Sequence, residues 1–368
     1  MTQSKPTEST KTLDDFLLLN VLGRGGFGKV YLASTLDPNG TQCVAIKSIK
    51  IPVDYDGRSR LIDEIQILKK TKSPFLCEML ECFETPEKVY LVLELLNGGE
   101  LYSLIKEKGP MKRTQARYYL AQIALGLEYL HENHIMHRDL KSSNVMISRR
   151  GDAKIADFGL SMMNFPLGCK TKSFGIGTLD AMAPEMIRKE PYGHEVDYWA
   201  LGVLAWEMML GESPFSGKTR EETKEKIKNE RLIAPEHLSY ISAKFLQGLL
   251  TRKVEKRFGI FEIKKSNFFG KIDWEKMKRM EYRPPFNPKL KDDSDISKFD
   301  PAITLYESPR ETEDEDSEIM EIDEFKGCDH PEVGSPEVIT LDSEVIMEEE
   351  DPEIIVIEDE GPEIIVLN

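Results

Sequence analysis

A glycine-rich run, Gly23-Arg24-Gly25-Gly26-Phe27-Gly28, lies between two strand-like segments, FLLLNVLG from Phe16 and KVYLA from Lys29, and it limits the start of this chain more than any other feature. Glycines spaced GxGxxG tolerate positive φ and let backbone amides come close to a ligand, so the run reads as a hairpin tip able to cover phosphates. A tight turn with no ligand has the same sequence. A dinucleotide site needs a helix directly after the glycines and an acid about 20 residues on. Here a strand follows, which favours a flap over phosphate.

The next strand, CVAIKSI, follows the turn DPNG and carries Lys47 after an apolar Val44-Ala45-Ile46 run. A lone lysine is ordinarily solvated; one anchored by a buried run is held where it can meet phosphate oxygens. The stretch RSRLIDEIQILKK has helical periodicity with Leu61, Ile65 and Leu68 on one face. It also offers Glu64 as an ion-pair partner for Lys47. Two further strand candidates, CEMLECFE and VYLVLELL, surround Thr85-Pro86, and helical segments such as ARYYLAQIALGLEYLHEN and VDYWALGVLAWEMML follow. Strands with one helix, then a helix-rich remainder, predict an α+β chain of two lobes: a small, mainly β lobe and a larger, mainly α lobe.

Chemistry concentrates in three later motifs: HRDLKSSN at 137–144, DFG at 157–159 and APE at 183–185. In these motifs and their order the chain resembles the protein kinase family over about residues 16–269. The resemblance implies the bilobal kinase fold, ATP and Mg²⁺ as cofactors, and transfer of the γ-phosphoryl group to protein Ser or Thr hydroxyls. Phosphoryl transfer needs positioning and charge neutralisation more than covalent help. By the resemblance, Asp139 orients the acceptor hydroxyl, Lys141 steadies the γ-phosphate, and Asn144 and Asp157 hold the metal through hard oxygen donors. Lys47, paired with Glu64, meets the phosphates, and Gly23, Gly25, Phe27 and Gly28 form the flap. Val30, Ala45 and Met146 sandwich the adenine, Glu94 and Leu96 offer backbone hydrogen bonds beside Leu93, and Glu100 contacts the ribose. Leu68, Met79, His137 and Phe158 stack as an apolar spine, a role that coincides with ordinary core packing. Asp197, Trp199 and Gly202 anchor the central helix, and Arg257 pairs with Glu185.

Residues 270–310 are polar and Pro-rich. WEKM, RPPFNP, KFD and YESP there resemble the C-terminal extension of AGC kinases, in which Phe299-Asp300 reach back over the ATP cleft and Thr304 or Ser308 is a phosphosite. The chain departs from that pattern in three places. Ile322 and Phe325 are all that remains of the hydrophobic motif. Phe174 stands where the activation segment ordinarily carries its phosphoacceptor, leaving Ser173 or Thr171, modified by an upstream kinase or by autophosphorylation and paired with Arg138. Ser143 replaces an acid that reads basic substrates. Leu160 after DFG goes, in resembling kinases, with Ser over Thr as acceptor. A scaffold that keeps the fold for binding alone is the alternative reading, and the survival of every chemical residue argues against it.

Charge divides the chain. From Glu311 onward there are 23 acidic residues and one basic residue, a net of −22 against −16 for the whole, so residues 1–310 sum to +6. This predicts a disordered leader (1–15), a catalytic domain (16–269), an extension (270–310) and a disordered acidic tail (311–368). The tail repeats an apolar quartet at 338–341, 354–357 and 364–367, each preceded by Glu. These quartets resemble SUMO-interacting motifs, which bind by strand addition to a basic-rimmed sheet edge. A solubility segment, a turnover signal and strands docking on the kinase itself have the same composition. Five scattered cysteines without a CxxC pair fit a reducing compartment. With no secretory leader or membrane-length apolar run, the expectation is an intracellular protein of the cytoplasm or nucleus. Its expected partners are protein substrates and SUMO, not nucleic acid or membrane.

Overall fold

The computed structural model describes residues 11–25, 28–36, 40–270 and 272–304, and the backbone of 364–366. The first lobe is an antiparallel five-stranded sheet in the order β1-β2-β3-β5-β4. The strands are β1 (Phe16–Gly25), β2 (Gly28–Thr35), β3 (Cys43–Lys50), β4 (Met79–Glu84) and β5 (Lys88–Glu94). Period-two alternation sorts their side chains. Phe16, Ala33, Val44, Ile46, Tyr90 and Val92 cluster on the outer face, where Phe83 stacks between Phe16 and Tyr90. Leu22, Leu32 and Ala45 form the face turned to the cleft.

The one long helix of this lobe, α1 (Tyr55–Lys70), is capped by Asp54, whose carboxylate accepts from the Gly57 amide at 2.7 Å. Its buried residues are Leu61, Glu64, Ile67 and Leu68. Ile65, expected on that face, is half-buried; the helix begins three residues before the predicted stretch, and Ile67 takes the inward position.

The second lobe contains α2 (Leu101–Lys108), α3 (Arg113–Glu132), the two-stranded ribbon β6 (Val145–Ile147) and β7 (Ala153–Ile155), α4 (Pro184–Ile187), α5 (Glu195–Leu210), α6 (Arg220–Asn229), β8 (Leu232–Ala234), α7 (Tyr240–Leu249) and α8 (Ile260–Lys265). Helix α5 is apolar on all sides and buried from Val196 to Met209 apart from Glu207, as expected for a helix at the centre of a lobe. Gly202 sets how close α7 comes: a Cβ there would stand 2.8 Å from Leu249 Cβ.

Residues 272–304, including α9 (Trp274–Lys278) and α10 (Pro301–Thr304), run along both lobes without a core of their own. They are tied down at several points. Arg150 donates to the Met280 and Tyr282 carbonyls, Asn97 donates to the Asp293 carbonyl at 3.2 Å, and Asn20 donates to the Thr304 carbonyl at 3.3 Å. Phe299 and Ile296 pack on the cleft-facing cluster of the first lobe. The final described element, β9 (Ile364–Val366), pairs with β8 in parallel. No helix among the described residues is long and apolar enough to cross a membrane.

Candidate active site

A cleft of about 450 Å³ lies between the lobes. The β1–β2 hairpin forms its roof. Gly23, Gly25 and Gly28 line it, while Phe27 lies outside the described residues. Gly28 has φ +135°, and a Cβ at that position would sit 1.9 Å from the Ser48 carbonyl oxygen, so only glycine fits there. Val30 and Ala45 reach the cleft from above and Met146 from below; Glu94, Leu96 and Glu100 line it at the connection between the lobes. The Glu94 amide is spent on the Glu78 carbonyl, and its carboxylate on Lys154. Burial raises the pKa of Glu100, against the pull of Lys141.

Strand β3 and helix α1 supply the central ion pair. Lys47 Nζ lies 2.8 Å from Glu64 Oε1 and 2.9 Å from Asp157 Oδ1. Burial works against the ammonium charge, but the two carboxylates outweigh it and hold the Lys47 pKa above its usual value. Burial likewise works against the Asp157 carboxylate, and Lys47 reverses it, so the Asp157 pKa is lowered.

The loop at 137–144 lies opposite. Asp139 Oδ1 accepts from the Thr178 amide at 2.7 Å, and Oδ2 sits 2.9 Å from Lys141 Nζ and 3.0 Å from Asn144 Nδ2. Lys141 also donates to Thr178 Oγ1 at 2.6 Å. The loop hangs from Asp197, which accepts from the His137 and Arg138 amides at 2.9 and 2.8 Å and bonds the His131 ring at 2.8 Å. Despite full burial, these partners draw the Asp197 pKa down to about 2. The His137 and Phe158 rings meet edge-on at 5.6 Å. Below them Arg257 and Glu185 form a two-pronged pair at 2.6 and 2.9 Å.

Metal chemistry fits the donors present. Asn144 commits its Nδ2 to Asp139, which leaves its carbonyl oxygen, and Asp157 exposes its carboxylate to the cleft. A carboxylate and an amide oxygen suit Mg²⁺, which takes few protein ligands and completes its shell with phosphate and water.

Of the sequence-predicted site residues, all but Asp139 and the undescribed Phe27 line this one cleft, and Asp139 is bonded to two that do, Lys141 and Asn144. Sequence reasoning missed Leu22, Arg24, Cys77, Leu95 and Ala156. Leu22 had a signal, as the last apolar residue before the glycines. Cys77 had none; burial, with Glu94 second, pushes its thiol up to about 12.

In the activation segment Thr171 is buried and exchanges backbone hydrogen bonds with Tyr192 at 2.8 and 3.0 Å. Ser173 is half-buried, and its Oγ accepts from Arg138 Nη1 at 3.4 Å. Thr304, one of the two expected tail phosphosites, is buried, with its hydroxyl on the Asp300 carbonyl. Ser308, Ile322 and Phe325 lie outside the described residues.

Comparison with known proteins agrees with this geometry. A family model described as "Protein kinase domain" matches residues 16–269. The chain is 36% identical over 301 residues to a protein kinase C of Drosophila melanogaster, covering 80% of this chain and 40% of that one. It is 38% identical over 296 residues to a probable serine/threonine-protein kinase of Dictyostelium discoideum (79% and 64%). It is 37% identical over 311 residues to the ribosomal protein S6 kinase beta of Caenorhabditis elegans (81% and 56%). The chain spans about half the length of the curated relatives it matches. The protein kinase C and S6 kinase relatives accord with the resemblance to AGC kinases. With the two lobes, the Lys47–Glu64 pair and the Asp139 loop in place, the chain belongs to the protein kinase family.

Proposed function

We propose that this protein is an ATP- and Mg²⁺-dependent protein serine/threonine kinase. One observation carries the reading: Lys47, Glu64 and Asp157 are already joined on one side of the cleft, and Asp139, Lys141 and Asn144 are joined on the other. When bound, Mg²⁺ would supply positive charge to offset the phosphates. Lys47, oriented by Glu64, anchors the inner phosphates. Asp157 and Asn144 offer the metal its protein oxygens. Asp139 accepts a hydrogen bond from the acceptor hydroxyl and points its oxygen at phosphorus, while Lys141 balances charge on the transferred group. The flap of β1 and β2 and the apolar pair Val30–Ala45 over Met146 exclude water from adenine and phosphates, and Glu100 meets the ribose.

Substrate choice and regulation follow from the same site. Ser143 lines the cleft where an acid would attract basic peptides, so the preference for upstream Arg or Lys is modest, and Leu160 favours Ser over Thr. Ser173 is the activation-segment phosphosite, because its hydroxyl already faces Arg138 while Thr171 is buried. A peptide array phosphorylated by the purified chain, with Asp139→Asn as control, tests the reading. Ser peptides should be labelled by the wild type alone.

The acidic tail is proposed to bind SUMO through its quartets, in keeping with an intracellular, nuclear or cytoplasmic protein. The quartets at 338–341 and 354–357 lie outside the described residues. The backbone of 364–366 forms a strand, the conformation that such binding requires. Retention of the full chain on SUMO polymers, lost when all three quartets become Ala, checks this proposal.

A further inference from the structure

The last apolar quartet of the tail meets the large lobe. Ile364–Val366 pairs with β8 in the parallel register Leu232↔Ile364, Ile233↔Ile365 and Ala234↔Val366, and β9 also lies against α7. None of the phosphotransfer chemistry uses β8. Two features hold this strand in place. Just before it, the Arg252 guanidinium donates to the carbonyls of Ile227, Lys226 and Glu230 at 2.8, 3.1 and 2.6 Å. Within it, Leu232 and Ala234 are buried, while Ile233 between them is exposed. Among the described residues, β8 has β9 as its one strand partner. A short edge fixed in this way accepts one added strand through main-chain hydrogen bonds.

We propose that the β8 edge is an intramolecular docking site whose occupant is the chain's own C-terminal quartet. The chemistry of the two sides matches. Ile364, Ile365 and Val366 are β-branched, which suits an added strand. The segment from Glu311 onward carries −22, whereas residues 1–310 carry +6. Arg231 directly precedes β8, although Glu230 and Glu236 flank it as well, so the attraction belongs to the lobe as a whole. Residues 305–363 give a connection long enough to reach this edge from Thr304. One edge holds one quartet at a time. Any protein that captures residues 364–367 must therefore first take them from β8.

Hydrogen exchange of the full chain, followed at the amides of residues 232–234, tests the proposal. The comparison proteins are a chain ended at Gly361 and an Ile365→Pro variant, which loses one main-chain donor without being shortened. Exchange at these amides should be about tenfold or more faster in both variants, with α3 and α5 unchanged. A peptide of residues 360–368 should restore protection to the shortened chain, and the same peptide with Ile364→Asp and Ile365→Asp should not. Equal exchange in all three proteins would overturn the proposal. So would lost protection that the peptide fails to restore, because that result would mean a disturbed lobe rather than a vacated edge. Phosphotransfer is read separately, so failure here leaves the kinase reading untouched.

Discussion

Lys47 on β3 and Glu64 on α1 are joined at 2.8 Å across the gap between sheet and helix, with Glu64 itself buried. The pair fixes where the ammonium stands relative to Asp157, so its value lies in position as much as in charge. Glu64→Gln keeps the volume and removes the anchor. Because small misplacements at a phosphoryl-transfer site are costly, kcat/KM for ATP should fall by roughly 10- to 100-fold. Thermal stability should change little. Steady-state kinetics on the purified variant check this.

The Arg257–Glu185 pair is a different kind of contact. It is bidentate, its side chains are almost completely buried, and the guanidinium lies 5.2 Å from the Trp199 ring. Arg257→Ala strands a buried carboxylate and should cost about 3–5 kcal/mol of stability. Adding Glu185→Leu removes the stranded charge and should recover part of the loss. Urea denaturation of both variants measures it.

Ser173 stands ready for a phosphate, because Arg138 donates to both its Oγ and the Leu160 carbonyl. A phosphoryl group there adds about −1.5 to −2 charges beside that guanidinium. Active protein should carry phosphate on Ser173 and none on Thr171 by mass spectrometry, and Ser173→Ala should lower activity several-fold. Unchanged activity would mean that the segment is held without phosphate.

His194 is buried between the rings of His131 and Phe165, and neither ring nitrogen has a hydrogen-bond partner among the described residues. Burial first and His131 second pull its pKa down to about 4, against Asp197 and Glu195. The folded protein therefore keeps this ring neutral between pH 6.5 and 4, where the unfolded chain is protonated. The unfolded state binds the extra proton, so stability rises with pH through that window and is lost as pH falls. The loss is of order 3 kcal/mol by pH 4. Asp197, held near 2, contributes stability that is lost only below about pH 4. Denaturation midpoints at pH 7, 5.5 and 4.5 should fall more steeply for the wild type than for His194→Phe.

Legibility in the sequence followed the physics of each element. The strands of the first lobe were readable because alternation and β-branched residues agree there, and α5 because its apolar run is long. That Lys141 and Asn144 line the cleft, with Asp139 bonded to both, was legible through the HRDLKSSN motif and the resemblance that it carries. The start of α1 was hidden by Gly57, a turn residue that Asp54 draws into the helix by capping its amide. Cys77 could not be seen at the cleft, since a lone cysteine has no periodic signal. The pairing of β8 with β9 joins residues far apart along the chain, and composition alone left it as one alternative for the tail.

The central claim is that Asp157 and its neighbours serve transfer of a phosphoryl group. Single-turnover transfer of γ-labelled phosphate from Mg²⁺-ATP to a Ser peptide, wild type against Asp157→Ala, tests it most directly. The wild type should transfer label, and Asp157→Ala should be slower by roughly 10²–10³ with its melting transition retained. Equal rates for the two proteins, or no transfer by a wild type that binds Mg²⁺-ATP, would contradict the account.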